Sequence, residues 1–457
     1  MENQGRKSGL QGWLGVLGPG LLYAGAAVGV SHLVQSTRAG AGFGFSLIWV
    51  VILANVLKYP FFEAGPRYAA ATGRSLIEGY RRLGWFPPLV FVLFTLGTML
   101  AVQAAVTAVT AGLAGYAVTF GGIDTILIGD FDLGRILWGK TQNALGEWEI
   151  STWKLSARFL LICGLILAIG RYKVLDRIMK VIIVLLSLTT LLALVFLLVG
   201  GIPPQVAPAL PFDWGDTGAI VAVVVPLVGW MPAPIDIAIW HSVWSLEKSK
   251  ADGQRTRLKD ALLDFGTGYW GTTLLAVGFL SLGALVMFGS GKEIPASAGA
   301  FSRQLIDMYA AALGDWARPV IALAALTTMF STTLTCLDAF PRVLQRTTEM
   351  YLPPSPRRER THLLYWIWIS IVGIGTTYIL AQFLSSLLDL VDVATTLSFV
   401  TAPLLALFNF LAVTGKDMPE TARPGLRLRL LAYLGLGFLF LFALYFLAAR
   451  FGLLGDL

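Results

Sequence analysis

The sequence predicts an all-α integral membrane protein of eleven transmembrane helices, arranged as two inverted five-helix repeats with broken helices 1 and 6 and a final added helix. Three observations predict it. Hydrophobic residues make up 56% of the 457 positions and charged residues 13%, with a mean hydropathy of +0.72, more apolar surface than a soluble chain of this length can hide. Apolar runs of about 20 residues, the length that crosses a hydrocarbon core, recur along the chain. Two of these runs, five apart in order, are interrupted midway, and an odd number of spans per unit turns the second copy upside down.

The spans fall near 16–38, 43–64, 86–114, 154–170, 178–200, 217–245, 260–289, 316–340, 362–383, 386–413 and 428–450. They imply a cytoplasmic N-terminus at 1–15, a first repeat at 16–200, a second, inverted repeat at 217–413, and an eleventh helix at 428–450. The opening MENQGRKSGLQGW is read as a cytoplasmic tail and not a cleaved signal, because the apolar run after it is too long and lacks a small-residue cleavage site.

Span 1 is broken at Gly29-Val30-Ser31-His32. Backbone groups freed inside a membrane are costly unless protein, water or a solute satisfies them, so such a break marks a candidate substrate site, with Gly29, Ser31 and His32 lining it. Span 6 carries Pro226, Gly229, Pro232 and Pro234, and each interior proline removes a helix hydrogen bond. Its break adds Met231 and Asp236 to the site.

Basic residues cluster in alternate loops: Arg67, Arg74, Arg81 and Arg82; Arg171, Lys173 and Arg177; Lys248, Lys250, Arg255, Arg257 and Lys259; Arg342, Arg346, Arg357, Arg358 and Arg360; Lys416, Arg423, Arg427 and Arg429. By the positive-inside rule these are cytoplasmic, placing the N-terminus inside and the C-terminus outside a cytoplasmic (inner) membrane. The net charge of +7 then reflects topology and contact with the lipid bilayer, not nucleic-acid binding. The stretch 115–153, with Asp124, Asp130, Asp132, Glu147 and Glu149, predicts a small extracellular cap, and 201–216 has no Lys or Arg. Cys163 and Cys336 lie in apolar runs and read as buried structural thiols.

The chemistry at the breaks allows two substrates. The imidazole of His32, the carboxylate of Asp236 and the thioether of Met231 make a set that suits a transition-metal ion. Alternatively Arg38, His32 and the positive helix end at the break suit a small organic or anionic solute, with Asp236 pairing with Arg38 or hydrogen-bonding structurally. Gating or coupling candidates are Arg38, His241 near the inner end of span 6, and Asp389 with Asp392 on one face near the outer end of span 10. Asp338 in span 8 is a further candidate for coupling to an ion, proton or sodium, beside the hydroxyls of Thr327, Thr328, Ser331, Thr332, Thr333 and Thr335, which can equally hydrogen-bond to their own helix. His362 has no assigned role. No P-loop, His-Glu-x-x-His or nucleophile elbow is present, so neither an enzyme nor an ATP-driven pump is expected, and no cofactor; oligomeric state is not readable.

From Gly18 to Arg82 the segments GPGLLYAG, AGAGFGFSLIWVVILANVL and ATGRSLIEGYR resemble the Nramp family of divalent-metal transporters. Met231-Pro232 with His241-Ser242 is similar to elements of that family's sixth helix, and TTLSFVTAPLLALFNFLAV to its tenth. The resemblance implies a LeuT-type fold, alternating access, and a divalent metal ion as the substrate. The family's Asp-Pro-Gly-Asn in helix 1 is replaced here by Gly29, Val30, Ser31 and His32, and its acidic residues in helix 3 by Gln103 and hydroxyls, so the acidic ligand of helix 1 is gone.

Overall fold

A computed structural model describes residues 17–128, 131–142, 147–169, 172–199, 218, 220–289, 295–353, 358–383 and 387–451. The expected N-terminal tail 1–15, the loop 201–216, and Asp130, Arg171 and Arg357 lie outside the described residues.

Pro19 opens α1 (Pro19–Ala27) at the first helical position, where a missing N–H costs nothing. After a bend at Val28 and Gly29 the chain resumes as a wide π-helical turn, Ser31–Ser36, and continues as α2 (Thr37–Phe43). Next, α3 (Ile48–Thr72) tolerates Pro60 and Pro66 and stops at Gly73, whose φ of 70° suits glycine. The amphipathic α4 (Leu76–Leu83) buries Leu76, Ile77 and Tyr80 and turns Arg81 and Arg82 outward. Beyond it, α5 (Phe86–Phe120) outruns its expected end at 114.

The expected cap is two antiparallel hairpins and a short helix. β1 (Leu127–Ile128) pairs with β2 (Phe131–Asp132); after α6 (Leu133–Trp138), β3 (Lys140–Gln142) pairs with β4 (Trp148–Ile150). Asp132 caps α6 by accepting from the Gly134 N–H at 2.9 Å. Lys140 ties the cap through Asp124 at 3.0 Å, and that bond holds the Asp124 carboxyl below its ordinary value. The stabilisation is therefore present at neutral pH and lost on acidification below the ordinary Asp range, an effect that Asp124→Asn removes from a pH titration of Trp148 fluorescence.

After α7 (Thr152–Ile169) and α8 (Tyr172–Val199), a π-helical turn, Ile220–Val224, leads into α9 (Val225–Trp230). Residues 231–236 leave the helix, and α10 (Ile237–Asp252) resumes it, so the second expected break is present. The remaining helices are α11 (Leu258–Met287), α12 (Ala298–Leu313), α13 (Arg318–Tyr351), α14 (Arg358–Phe383), α15 (Leu387–Thr414) and α16 (Leu426–Arg450). Among the described residues eight helices are long and apolar enough to cross a membrane, and the two interrupted segments and α8 stand at the positions of expected spans 1, 6 and 5.

Two departures have a common cause. Span 8 does not end at 340 but continues as α13 to Tyr351, where Asp338 and Arg342 pair one turn apart; α4 and α12 were not anticipated at all. Hydropathy registers the apolar part of a helix and misses polar or amphipathic turns at the water's edge.

The first interrupted segment packs along α11, and there the backbones touch. A Cβ added at Gly40 would lie 1.9 Å from the Leu280 carbonyl oxygen, and one at Gly283 2.3 Å from that of Thr37. Small residues permit this approach, which dispersion forces then reward. The most apolar stretches of α7, α14 and α16 are only 22–28% buried, against 56–72% for α3, α5, α11, α13 and α15, so the first three form the lipid-facing ring around the interrupted helices.

Candidate functional site

Each interrupted helix leaves carbonyl groups that its own ladder cannot satisfy. At the first break the Thr332 hydroxyl on α13 lies 2.9 Å from Gly25 O and 3.3 Å from Val28 O. A Cβ at Gly29 would stand 2.9 Å from the Thr332 methyl, which accounts for glycine there. At the other end of α1, the Asp264 carboxylate of α11 accepts from the N–H groups of Gly18 at 2.9 Å and Gly20 at 2.8 Å. A buried carboxylate on a helix N-terminus satisfies two orphan donors and the helix dipole together. Asp264→Ala is accordingly expected to cost about 1–3 kcal/mol, read as a lowered melting temperature in detergent.

At the second break, Lys58 of α3 is fully buried and its Nζ donates to the carbonyls of Val228 and Gly229, in the last turn of α9. Sequence reasoning missed Lys58, although a lone charge within an apolar run was the available signal. It also missed Asp264 and Thr272, whose roles depend on contacts more than 200 residues away in sequence.

His32 is buried, with Nδ1 2.7 Å from Ser31 Oγ and Nε2 3.0 Å from Thr272 O. A carbonyl only accepts, so Nε2 carries the hydrogen and offers no lone pair. The ring thus pins the π-helical turn to α11 through Nε2, while Nδ1 faces the Ser31 hydroxyl, whose one hydrogen is shared with Ala27 O at 2.7 Å. Met231 is buried and its sulfur lies 3.8 Å from the Ser36 hydroxyl.

Asp236 faces another direction. It precedes α10 and, with Thr95 and Thr98 of α5 and Ser398 and Thr401 of α15, lines a cavity of about 10 Å³ that admits one water or ion. Its Oδ1 and the Thr95 hydroxyl are both buried without a hydrogen-bond partner among the described residues. Ser398, by contrast, accepts from Trp230 Nε1 at 2.8 Å and donates to Ala394 O at 2.9 Å.

His32, Met231 and Asp236 thus have different polar neighbours: Ser31 and Thr272 for His32, the Ser36 hydroxyl for Met231, and a cavity shared with α5 and α15 for Asp236. Among the described residues no group of three or more His, Cys, Asp or Glu side chains is placed to hold a metal ion.

A second expectation is corrected outright. Arg38 does not pair with Asp236; its Nη1 lies 2.7 Å from both carboxylate oxygens of Asp392, and Gln35 donates to the same group at 3.0 Å. Asp392 wins because it sits near the start of α15, level with α2, whereas Asp236 lies deep at the other break. Asp389 stands in the first turn of α15. Asp338 is bound by Arg342 and by the Tyr365 hydroxyl, each at 2.5 Å. His241 is buried between Tyr23 and Phe265, ring centres 5.9 and 5.7 Å away, and neither ring nitrogen has a hydrogen-bond partner among the described residues.

Comparison with known proteins agrees with this architecture. Residues 20–449 match the family model described as natural resistance-associated macrophage protein-like, Nramp. An uncharacterised protein of Pasteurella multocida is 31% identical over 99% of this chain and 96% of its own length. The divalent metal cation transporter MntH of Verminephrobacter eiseniae is 35% identical over 75 residues, 16% of this chain and 17% of that one. A mutant of the manganese transporter of Eremococcus coleocola superposes with a TM-score of 0.66 at 15% identity, covering 100% of this chain and 90% of that one. MhsT in complex with L-phenylalanine superposes at 0.60 with 17% identity, covering 93% and 98%. The fold is thus the LeuT type, built of membrane helices with two interruptions, and the chain belongs to the Nramp family.

Proposed function

We propose that this chain is a secondary active transporter that carries a divalent metal ion across the cytoplasmic membrane by alternating access, with the N-terminus inside and the C-terminus outside. The observation that carries this reading is Asp236 Oδ1, a buried carboxylate oxygen with no hydrogen-bond partner among the described residues, at a helix break and facing a cavity of ion size. A buried negative charge without a counter-charge is costly, and a cation arriving beside it relieves that cost.

The ligand set differs from the one the sequence suggested. Around Asp236 the polar side chains lining the cavity offer oxygens alone: its own carboxylate and the hydroxyls of Thr95, Thr98, Ser398 and Thr401. Oxygen sets favour hard ions such as Mn²⁺ and Mg²⁺ over softer ones. His32 and Met231 act here as structural supports of the two breaks, with Gly29 and Ser31. The anionic-solute alternative loses its main attraction, since Arg38 is neutralised by Asp392.

That ion pair, with Gln35, joins the outer part of the first interrupted helix to α15 and is proposed as an external gate. Arg38→Asp and Asp392→Arg should each slow uptake about tenfold, and the double exchange should recover most of it, as coupled residues do. Coupling to protons or sodium is assigned to no single residue; His241 and Asp389 remain the candidates along the path.

The test is uptake of Mn²⁺ and Mg²⁺ into proteoliposomes holding the purified full chain, beside His32→Ala and Asp236→Ala. Uptake above protein-free vesicles, abolished by Asp236→Ala and only reduced by His32→Ala, supports the reading. No flux of either ion would remove it.

A further inference from the structure

Lys58 is unusual among membrane-depth charges, which ordinarily pair with a side chain of opposite sign. No carboxylate among the described residues interacts with it. The one acid on its own helix, Glu63, is otherwise occupied, since it pairs with Arg67 one turn on. Its partners are the backbone carbonyls of Val228 and Gly229. These belong to the last turn of the helix that runs from Ile220 to Trp230, where the chain leaves helical geometry. Such carbonyls carry the negative end of the helix dipole and, at this depth, cannot be left bare.

The opposite break is closed differently, by a neutral group, the Thr332 hydroxyl on Gly25 and Val28. One carbonyl end is thus met by a side-chain hydroxyl and the other by the amino group of a buried lysine.

We propose that Lys58 is a tethered cation: its ammonium fills a monovalent-cation site formed by the Val228 and Gly229 carbonyls, a site that a free sodium or alkylammonium ion would occupy in its absence. An ammonium presents three donors on a flexible stem and serves as a compact point charge, the properties a bound ion would supply. Fixing it to α3 ties α9 to that helix and makes this contact independent of dissolved sodium. This role of Lys58 does not depend on what the Asp236 cavity carries.

The experiment is thermal unfolding of the purified full chain in detergent, without transport substrate, in sodium, methylammonium or choline chloride at equal ionic strength. Wild type should melt at the same temperature in all three salts. Lys58→Ala should melt lower in choline and regain about 3 °C or more in sodium or methylammonium, because an ion that binds only the folded state stabilises it by mass action. Choline is too large for the vacated space. An equal response of wild type and Lys58→Ala to the salts, or no response of Lys58→Ala, overturns the proposal. Lys58→Met decides the matter if the alanine variant does not fold: it fills the space without charge and should melt below wild type, whereas wild-type stability in Lys58→Met contradicts a role for the charge.

Discussion

Asp236→Asn should cut the initial rate of Mn²⁺ uptake into proteoliposomes by about a hundredfold, the equivalent of about 3 kcal/mol of lost cation binding. Asparagine has nearly the same shape and keeps one oxygen, so the cavity with Thr95 and Ser398 persists while the charge is gone. The same substitution should leave the melting temperature unchanged or raise it, because it removes a buried carboxylate oxygen that has no partner in the structure. Reduced uptake with undiminished stability separates a substrate ligand from a structural residue. Uptake within about threefold of wild type would show that the charge is not a ligand, since a lost charge-assisted contact is worth more than that.

The largest effect on folding is expected at the contact between the first interrupted helix and α11. Gly283→Val places its branched side chain where the Thr37 carbonyl lies 2.3 Å from the first carbon alone, and Gly40→Val meets Leu280 O at 1.9 Å. Neither neighbour can move, because both are helix backbone. The helices must separate, at a cost of about 3 kcal/mol or more, and the π-helical turn pinned by His32 to Thr272 separates with them. Size-exclusion chromatography in detergent should show aggregated or absent protein for both variants. Gly437→Ala on α16, where a Cβ meets nothing within 4 Å, should elute as wild type and serves as the control.

The parts of the molecule legible in the sequence are those written in local patterns. Apolar runs announced the long helices, and Gly29 and the prolines of span 6 announced both breaks, because backbone chemistry is a property of the residue itself. The Gly-rich motif around residues 18–44 carried a family resemblance, and two of its glycines, Gly20 and Gly40, prove to be contact points with α11. What a buried side chain touches is not local. Arg38 was recognisable as a charge needing a partner, yet Asp392 lies 354 positions away, and the partner the sequence suggested was Asp236. His32 had the chemistry of a metal ligand, and only the distances to Ser31 and Thr272 reveal that its nitrogens are used. Lys58 and Asp264 were passed over for the same reason: each works on backbone groups of a distant helix, and backbone groups leave no signature in sequence.

In the proposed function, Asp236 lines a site that binds a divalent cation through oxygen donors. Electron paramagnetic resonance of Mn²⁺ added to the purified full chain in detergent tests it most directly, because protein-bound Mn²⁺ loses the sharp signal of the hydrated ion. Wild type should quench that signal up to one ion per chain, Mg²⁺ should restore it by competition, and Asp236→Asn should leave it unquenched. A free-ion signal that is the same with wild type and with Asp236→Asn would contradict the account.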